Sequence, residues 1–190
     1  MKQELNLLDG YTPTNDLLND AKQIIEVSQK AAYRAVNLAL VQRNWLLGYR
    51  IAQEELKGEG RSEYGTAVIR KLAKELTAEY GKGFDYSSLY KYFRFYKLYP
   101  EIVDSVSPQS GALLSWTHYR VLLQVEDKTA RDWYTKEAAN QTWSVRTLQR
   151  NISSQYYYRL LKSQNQEPVK QEMELSLIHI SEPTRRRGIS

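Results

Sequence analysis

Between Asp16 and Leu56 the chain places apolar residues at helical spacing and contains no proline. The apolar positions are Leu17, Ala21, Ile24, Val27, Ala31, Ala35, Leu38, Trp45 and Ala52. Apolar residues that recur every three or four positions indicate an amphipathic helix, which an internal proline would break. The segment therefore predicts one long helix or two nearly collinear helices, and it directs the whole chain toward a helical fold.

Two further helices are predicted after the glycine-containing segment 58–62, which ends the first helix. Ser62 is a suitable N-cap for a second helix that reaches Tyr80. Gly81 is suited to the left-handed conformation that closes a helix. After a short turn, Asp85 is a suitable N-cap for the third helix.

The rest of the chain continues the helical pattern. Ser115, Asp127 and Ser144 are suitable N-caps for three more helices. Their predicted core residues are Tyr119, Leu122, Leu123, Ala130, Trp133, Ala138, Val145, Leu148 and Ile152. No segment alternates convincingly with period two, as a half-buried strand would. We therefore predict an all-α domain over 16–162, with a long N-terminal helix, a helix-turn-helix and a further three-helix unit.

The two ends of the chain are expected to lie outside this domain. Residues 1–15 are expected to form a disordered extension, and the polar residues 163–174 a linker. The segment LSLIHISEPTR (175–185) resembles the translation of a transposase adapter used in sequencing libraries. We therefore expect the natural sequence to end near Glu174 and 175–190 to be an artefact. The alternative is a genuine basic tail.

Composition excludes several kinds of chemistry. Cysteine is absent, which excludes disulfides, thiolate zinc sites and cysteine nucleophiles. Histidine occurs only at positions 118 and 179, which argues against a multi-histidine metal site. The chain has no glycine-rich phosphate loop, no apolar run near the roughly 18 residues of a membrane span, and no signal-peptide core. We expect a cytoplasmic protein with no metal, cofactor or membrane contact.

The net charge of +5 is concentrated in one part of the chain. Without the suspected tail the excess falls to +3, so the total charge is a weak indication of nucleic-acid binding. Residues 61–100 carry eight basic and four acidic residues, a charge of +4. Because a basic patch is the electrostatic footprint of a nucleic-acid site, a DNA contact is expected in this segment.

The third helix has two distinct faces on a helical wheel. The predicted inward residues are Leu89, Tyr92, Phe93, Tyr96 and Tyr99. The predicted outward residues are Tyr86, Ser87, Tyr90, Lys91, Arg94 and Lys97. The outward face offers hydroxyl and cationic donors and no carboxylate, which suits contacts with phosphates and base edges.

The second helix shows a similar division. Its predicted apolar stripe is Tyr64, Val68, Leu72 and Leu76, and its basic side is Arg70, Lys71 and Lys74. Two helices joined by a short turn over 63–99 match a helix-turn-helix, whose second helix enters the major groove of DNA. The alternative is a helical pair that binds nothing and has a solvated charged face.

Two smaller features lie further along the chain. Arg146 and Arg150 share a predicted helix face with Ser153 and Tyr157. This face either anchors phosphates or is simply solvated. His118 stands at a helix start, where it is either satisfied by solvent and backbone or contacts a phosphate.

Catalytic signatures are weak. Glu-x-Lys pairs, of the kind that metal-dependent nucleases carry, occur at 55–57 and 126–128. In such nucleases the pair lies on a strand and an upstream aspartate completes a magnesium site. Here one pair closes a helix and the other lies in a turn between helices, so chance explains both better than catalysis.

Five sequence blocks occur in an order that resembles a known family. They are RNWLLGYRIAQEE (43–55), SEYGTAVIRKLAKELTAEYGKGF (62–84), FYKLYPEI (95–102), LSWTHYRVLLQVED (114–127) and WSVRTLQRNI (143–152). Together they resemble the N-terminal domain of the YhcG-type family of PD-(D/E)xK nucleases, a domain of unknown function. In that family a nuclease domain follows. The resemblance therefore implies that this chain is the recognition half of a bacterial nuclease, truncated before its catalytic half, and is not itself an enzyme.

A more distant similarity links the same blocks to the DNA-binding domain of ParB-type partition proteins. It implies that Ser87, Ser88, Tyr90 and Lys91 lie on a recognition helix. It also implies that Thr117 and His118 meet a phosphate at a helix N-terminus and that Arg146 matches the arginine of an SVR block. Family relatives carry more arginine around positions 86, 90 and 91, where this chain has two tyrosines and a lysine.

The leading hypothesis is a module that binds duplex DNA. Lys82, Lys91, Arg94 and Lys97 would contact phosphates, Ser87, Ser88 and Tyr90 would face the groove, and Tyr86, Thr117, His118, Arg146 and Arg150 would add contacts. The rival is a protein-interaction domain, such as a homo-oligomer with a seam at Trp45, Leu46 and Tyr49. A third hypothesis, magnesium-dependent cleavage through Glu55 or Glu126, is not expected to hold.

Overall fold

The computed structural model describes residues 11–57, 62–102 and 114–163. These residues form seven α-helices and one short 3-10 helix, and no β-strand occurs among them. The helices are α1 (Leu17–Lys57), α2 (Ser62–Tyr80), α3 (Tyr86–Leu98), α4 (Trp116–Leu122), α5 (Lys128–Asn140), α6 (Val145–Ser153) and α7 (Tyr156–Lys162). The 3-10 helix, Lys82–Phe84, lies between α2 and α3. The all-α prediction is confirmed.

Two differences concern the extent of the predicted elements. The last helix, α7, was not predicted, so four helices rather than three follow α3 in the described residues. Most of the predicted N-terminal extension, nearly all of the predicted linker and the whole suspected adapter tail lie outside the described residues. Those expectations stay predictions.

The first helix is continuous, which selects the first of the two alternatives for this segment. Its start is capped by Asp16, whose Oδ1 accepts the backbone N–H groups of Leu18 at 3.0 Å and Asn19 at 3.3 Å. The Thr14 hydroxyl donates to Asp20 Oδ1 at 2.6 Å and ties the preceding residues to the first turn. These bonds satisfy donors that a helix start leaves without an internal partner.

The two halves of α1 have different surroundings. No side chain from Leu17 to Val36 is buried, whereas Val41, Ile51 and Ala52 are buried where the second half packs along α3. The Trp45 indole N–H donates to the Tyr99 carbonyl at 2.8 Å. The Trp45 ring also stacks on Tyr49 and meets the edge of Tyr96. Two of the three residues predicted for an intermolecular seam are therefore engaged within the chain.

A glycine allows α1 and α3 to approach closely. At Gly48 a Cβ atom would lie 2.0 Å from the backbone oxygen of Tyr92. No side chain fits at that distance, because the obstacle is backbone. Around this contact Ile51 of α1, Ile69 and Ala73 of α2, and Leu89 and Tyr92 of α3 form a buried cluster.

The turn between α2 and α3 needs glycine for a reason other than the predicted one. Gly81 has φ 86° and ψ −166°, a positive-φ conformation that differs from the left-handed helical one. Its N–H still donates to the Thr77 carbonyl at 3.0 Å and closes α2. Asp85 caps α3 as predicted, since its Oδ1 accepts the Ser88 N–H at 2.8 Å.

The predicted inward faces of α2 and α3 are partly wrong. Phe95, which was not assigned to the inward face, is fully buried, whereas Phe93 is half-buried. In α2 the buried residues are Ile69 and Ala73, with Leu72 and Leu76 packed at the edge of the cluster. The reason is that the neighbouring helices pack on a side of each helix that is rotated away from the side that its apolar stripe indicates.

The described residues divide into two compact units, of which unit 1 ends at Trp116 and unit 2 begins at Thr117. In unit 1, the Trp116 ring packs on Tyr92 and Phe95. In unit 2, Asp127 and Ser144 cap α5 and α6 as predicted, by accepting the N–H groups of Thr129 and Thr147. Six of the nine predicted core residues of α4–α6 are buried, and Trp133, Val145 and Ile152 are half-buried.

Unit 2 also contains buried polar side chains that hold its loops. Arg131, 3% exposed, donates from one terminal nitrogen to the Val125 carbonyl at 2.9 Å and the Glu126 carbonyl at 3.2 Å. The Tyr134 hydroxyl donates to the Asn151 carbonyl at 3.1 Å and accepts the Tyr157 N–H at 3.0 Å. Burial raises the pKa of Tyr134, and the bond from Tyr157 partly opposes that rise.

Candidate nucleic-acid interface

The outward face of α3 consists of the residues that packing leaves exposed. Leu89, Tyr92 and Phe95 are buried and fix which side of the helix faces inward. The opposite side presents Tyr86, Ser87, Tyr90 and Lys97 as exposed residues, with Lys91 and Arg94 half-buried. All six residues predicted to face outward therefore lie away from the buried core of unit 1, and α3 itself contains no acidic residue.

Three aromatic rings follow one edge of this face, and we call Tyr86, Tyr90 and Phe93 the aromatic ladder. The rings of Tyr86 and Tyr90 are nearly parallel, at 13°, with centroids 6.3 Å apart. The rings of Tyr90 and Phe93 are 6.4 Å apart. Tyr86 and Tyr90 are 39% and 44% exposed.

A cation lies at each end of the aromatic ladder. The Arg70 guanidinium of α2 lies 5.9 Å from the Tyr86 ring centroid, and Lys97 Nζ lies 5.2 Å from the Phe93 ring centroid. Both distances are within the range of a cation–π interaction. The wheel placed Arg70 on the basic side of α2 but could not show that this side meets the start of α3.

Beside the ladder runs a polar stripe, which we define as Ser87, Lys91 and Arg94. Lys91 Nζ donates to the Ser87 hydroxyl at 3.1 Å, one helical turn away. Arg94 is half-buried and has contacts within the chain. The ladder and the stripe are adjacent because residues 86, 90 and 93 and residues 87, 91 and 94 repeat at helical spacing.

Two other predicted DNA contacts lie at the margins of this surface. Lys82 is exposed in the 3-10 turn that precedes α3. Ser88 is half-buried and lies in the first turn of α3, where its backbone N–H bonds to Asp85.

Lys97 forms an ion pair with Glu55 of α1 at 3.5 Å, so part of its charge is offset. Sequence patterns within α3 gave no sign of this carboxylate, which comes from a distant part of the chain.

Two of the residues of unit 2 that are predicted to contact DNA already contact other parts of the chain. His118 Nε2 lies 2.9 Å from the Trp143 carbonyl, and the ring is half-buried, while Thr117 is exposed. Arg146 is exposed on α6, and Arg150 is half-buried with contacts in the chain. Tyr157 does not extend the arginine face as predicted, because α6 ends at Ser153 and Tyr157 belongs to α7.

The two Glu-x-Lys pairs show no metal site. Glu55 pairs with Lys97, and Lys128 pairs with Asp132 at 2.6 Å rather than with Glu126. In the parts of the chain that the structure describes, no group of three or more histidine or acidic residues is placed to hold a metal ion.

Comparison with known proteins identifies the family. Residues 20–159 match the family described as the DUF1016 N-terminal domain, which covers most of the chain and every predicted contact. The chain belongs to this family. It is 27% identical over 204 residues to the Escherichia coli (strain K12) protein named "Putative nuclease YhcG". The comparison with solved structures gives no match.

The similarity covers only part of the relative, which limits what can be inferred from it about this chain. The alignment spans 92% of this chain but 54% of the E. coli protein, so the chain covers about half the length of that relative. The name of the relative describes a whole protein that includes a further region. As for membranes, none of the helices within the described ranges combines the length and apolar character that a span requires.

Proposed function

We propose that this chain is the DNA-binding module of a nuclease and that it binds DNA through the outward face of α3. The observation that carries the proposal is the composition of that face. It joins hydroxyl groups and cations on a helix without acidic residues, next to a turn that presents Lys82. DNA backbones attract such groups and repel carboxylates. The nuclease named among the relatives supports a nucleic-acid role.

In this proposal α2, the 3-10 turn and α3 act as a helix-turn-helix. Lys91, Arg94 and Lys97 contact phosphates, and Ser87 and Tyr90 lie against the groove. Phosphate contacts supply affinity and register, whereas side chains at base edges supply sequence preference. Four residues of unit 2 are proposed as additional phosphate contacts: Thr117, His118, Arg146 and Arg150. Thr117 and Arg146 are exposed, whereas His118 and Arg150 are half-buried.

The test is fluorescence anisotropy of the full chain with a labelled duplex at several salt concentrations. If the chain contacts Z phosphates, the logarithm of its binding constant falls against the logarithm of the salt concentration with a slope of about −0.9Z. Replacing Lys91→Ala together with Arg94→Ala should weaken binding and reduce the magnitude of the slope by about 2, one for each lost phosphate contact.

A matched control is available on α1. Lys30→Ala with Arg34→Ala removes the same two charges from an exposed helical surface away from α3. This control should leave the salt slope nearly unchanged. Equal losses in both double variants would show that only total charge matters, and no binding at low salt would refute the proposed function.

The missing catalytic activity is part of the same proposal. The chain is proposed to position a nuclease rather than to cut DNA itself, in a cytoplasmic setting. With magnesium present, the chain alone should not nick supercoiled plasmid. Nicking that Glu55→Ala or Glu126→Ala abolishes would contradict this part of the proposal.

A second candidate function, self-association, is favoured by the first half of α1. Leu17 is 86% and Leu18 is 64% exposed, and Ile25 and Val36 are exposed as well. Charged residues 22, 26, 30 and 34 recur every four positions, which leaves a wide face of apolar and small side chains on the other side of the helix. Two copies could cover this face.

Sedimentation equilibrium distinguishes this second candidate from DNA binding. If the face joins two copies, Ile24→Glu with Ile25→Glu should convert a dimer to a monomer at every salt concentration, because an apolar contact responds little to salt. A monomeric wild-type chain at high protein concentration would rule the candidate out. Arg34→Glu, at an exposed position on the charged side of the helix, is a suitable control.

A further inference from the structure

Two rings of the aromatic ladder, Tyr86 and Tyr90, are partly exposed, and a duplex groove offers such rings no base face on which to stack. In a duplex the faces of the bases are covered by neighbouring bases, and only their edges reach a groove. Proteins that hold unpaired strands combine aromatic rings, on which bases stack, with a cationic track for the backbone. The surface of α3 has both parts side by side.

We propose that Tyr86 and Tyr90 stack on the bases of an unpaired DNA strand whose phosphates lie along Ser87, Lys91 and Arg94. Phe93 forms the inner end of the ladder, where it packs against the buried cluster. This inference rests on the proposed function and narrows its substrate to DNA that contains single-stranded nucleotides beside a duplex. The bases stack on the ladder, and the phosphates lie along the polar stripe, which runs beside the ladder on the same helix.

The spacing of the rings supports an extended strand. Neighbouring centroids are 6.3 and 6.4 Å apart, nearly twice the rise of about 3.4 Å per nucleotide in a stacked duplex strand. A strand that follows the rings must therefore be drawn out of duplex geometry. An unpaired strand can extend in this way freely, whereas a duplex must be unstacked and kinked to do so.

The charges around the ladder fit the same ligand. Arg70 lies over Tyr86 at one end, and Lys97 lies over Phe93 at the other. Lys91 Nζ bonds to an exposed serine hydroxyl and not to a carboxylate, so a phosphate can replace that bond without breaking an ion pair. Two carboxylates border this surface: Glu55 pairs with Lys97 at the far end of the ladder, and Asp85 caps the first turn of α3.

The simpler explanation is that the tyrosines only stabilise α3. Aromatic residues four positions apart slightly stabilise a helix without any ligand. That role predicts a change in helix stability but no selective change in strand binding. The two explanations therefore differ in a measurable ratio, the affinity for an unpaired strand relative to the affinity for a duplex.

The experiment measures anisotropy of the full chain with three probes: an oligothymidine strand, a blunt duplex, and the same duplex with a single-stranded gap. Tyr86→Ala with Tyr90→Ala should lower affinity for the strand and the gapped duplex about tenfold or more, since the two lost stacks together are worth at least that much. Affinity for the blunt duplex should fall by a smaller factor, because of these two residues only Tyr90 is proposed to lie against the groove. Tyr86→Phe with Tyr90→Phe should keep wild-type binding, because the ring faces remain.

Two controls keep the test decisive. Tyr33→Ala removes an exposed tyrosine from α1 and should change none of the affinities. If the double alanine variant does not fold by circular dichroism, Tyr90→Ala alone should show the same selective loss in smaller measure. Equal losses on the strand and the blunt duplex, or no loss on either, overturn the inference.

The outcomes also separate this inference from the proposed function. Binding to the blunt duplex without binding to the strand overturns the inference and leaves duplex recognition intact. Binding to the strand alone supports the inference and overturns duplex recognition. A wild-type chain that binds none of the three probes overturns both.

Discussion

Helix α3 of unit 1 and the loops of unit 2 use their polar side chains in opposite directions. In unit 1 the hydroxyl and cationic groups of α3 lie on its outward face, over a mainly apolar core. In unit 2 Arg131, Tyr134 and His118 bond to backbone carbonyls of the same unit and hold its loops. Polar residues that bind a partner must remain accessible, whereas polar residues that bind backbone carry structure. This difference explains why the candidate interface lies on α3.

The largest expected effect concerns the close approach of α1 and α3 in unit 1. Gly48→Ala should destabilise the chain by about 3 kcal/mol, at the upper end of typical overpacking, because the new Cβ meets the Tyr92 backbone rather than a movable side chain. In an ordinary helix the same change stabilises by up to about 1 kcal/mol. The measurement is the free energy of unfolding in urea.

The control for this prediction is another glycine of unit 1. At Gly83 a Cβ atom would have no neighbour within 4 Å, so Gly83→Ala should have little effect. A stabilised Gly48→Ala variant would mean that α1 and α3 do not pack as closely as the structure has them, and the division of α3 into two faces would then lose its basis.

The next prediction tests whether a buried charged side chain holds a loop of unit 2. Arg131→Met should cost about 2 kcal/mol, because the Val125 and Glu126 carbonyls lose a charged donor while the site stays buried. Arg120→Met, at an exposed position of α4, is the matched control and should be nearly neutral. If the two variants are equally stable, Arg131 does not hold this loop and the contrast between the units weakens.

Local sequence signals predicted the helices well. The caps at Asp85, Asp127 and Ser144 were recognised because their bonds join residues two or three positions apart. The outward face of α3 was recognised because hydroxyl and basic residues repeat at helical spacing. Both signals lie within one element, so they need no knowledge of the tertiary structure.

Long-range contacts were beyond the same reasoning. The pairing of Glu55 with Lys97 joins two helices, and the fit at Gly48 depends on the backbone of α3. The break between α6 and α7 was missed because Gln155, a non-glycine residue, adopts a left-handed conformation at φ 53°. No local rule forces glutamine into that conformation. The burial of Phe95 likewise depends on where Trp116 packs.

A smaller effect compares equivalent caps in the two units. Asp85→Ala should destabilise α3 and Ser144→Ala should destabilise α6 by about 1 kcal/mol each, because both remove the acceptor for a first-turn N–H. Asp85→Asn and Ser144→Asn keep an acceptor and should lose much less. Unfolding in urea measures all four. If only one cap matters, the units differ in local helix stability as well as in the use of polar groups.

The smallest expected effect is a pH dependence confined to unit 2. The Tyr158 hydroxyl donates to Asp127 Oδ2 at 2.8 Å, and this bond, more than the one from the Thr129 N–H, holds the pKa of Asp127 below its ordinary value of 3.8. The same bond raises the pKa of Tyr158 above 10.0. The folded chain therefore favours the ionised carboxyl and the neutral phenol. Both preferences stabilise it between these two ordinary values.

Tyr158→Phe should therefore lower stability by a constant amount across that range. The difference from wild type should shrink as the pH falls below 3.8 through the lowered pKa of Asp127, and again as the pH rises above 10.0 through the raised pKa of Tyr158. Urea unfolding of both chains over a pH series measures it, with Tyr33→Phe as an exposed control. A difference that persists unchanged in acid would show that Tyr158 acts through packing alone.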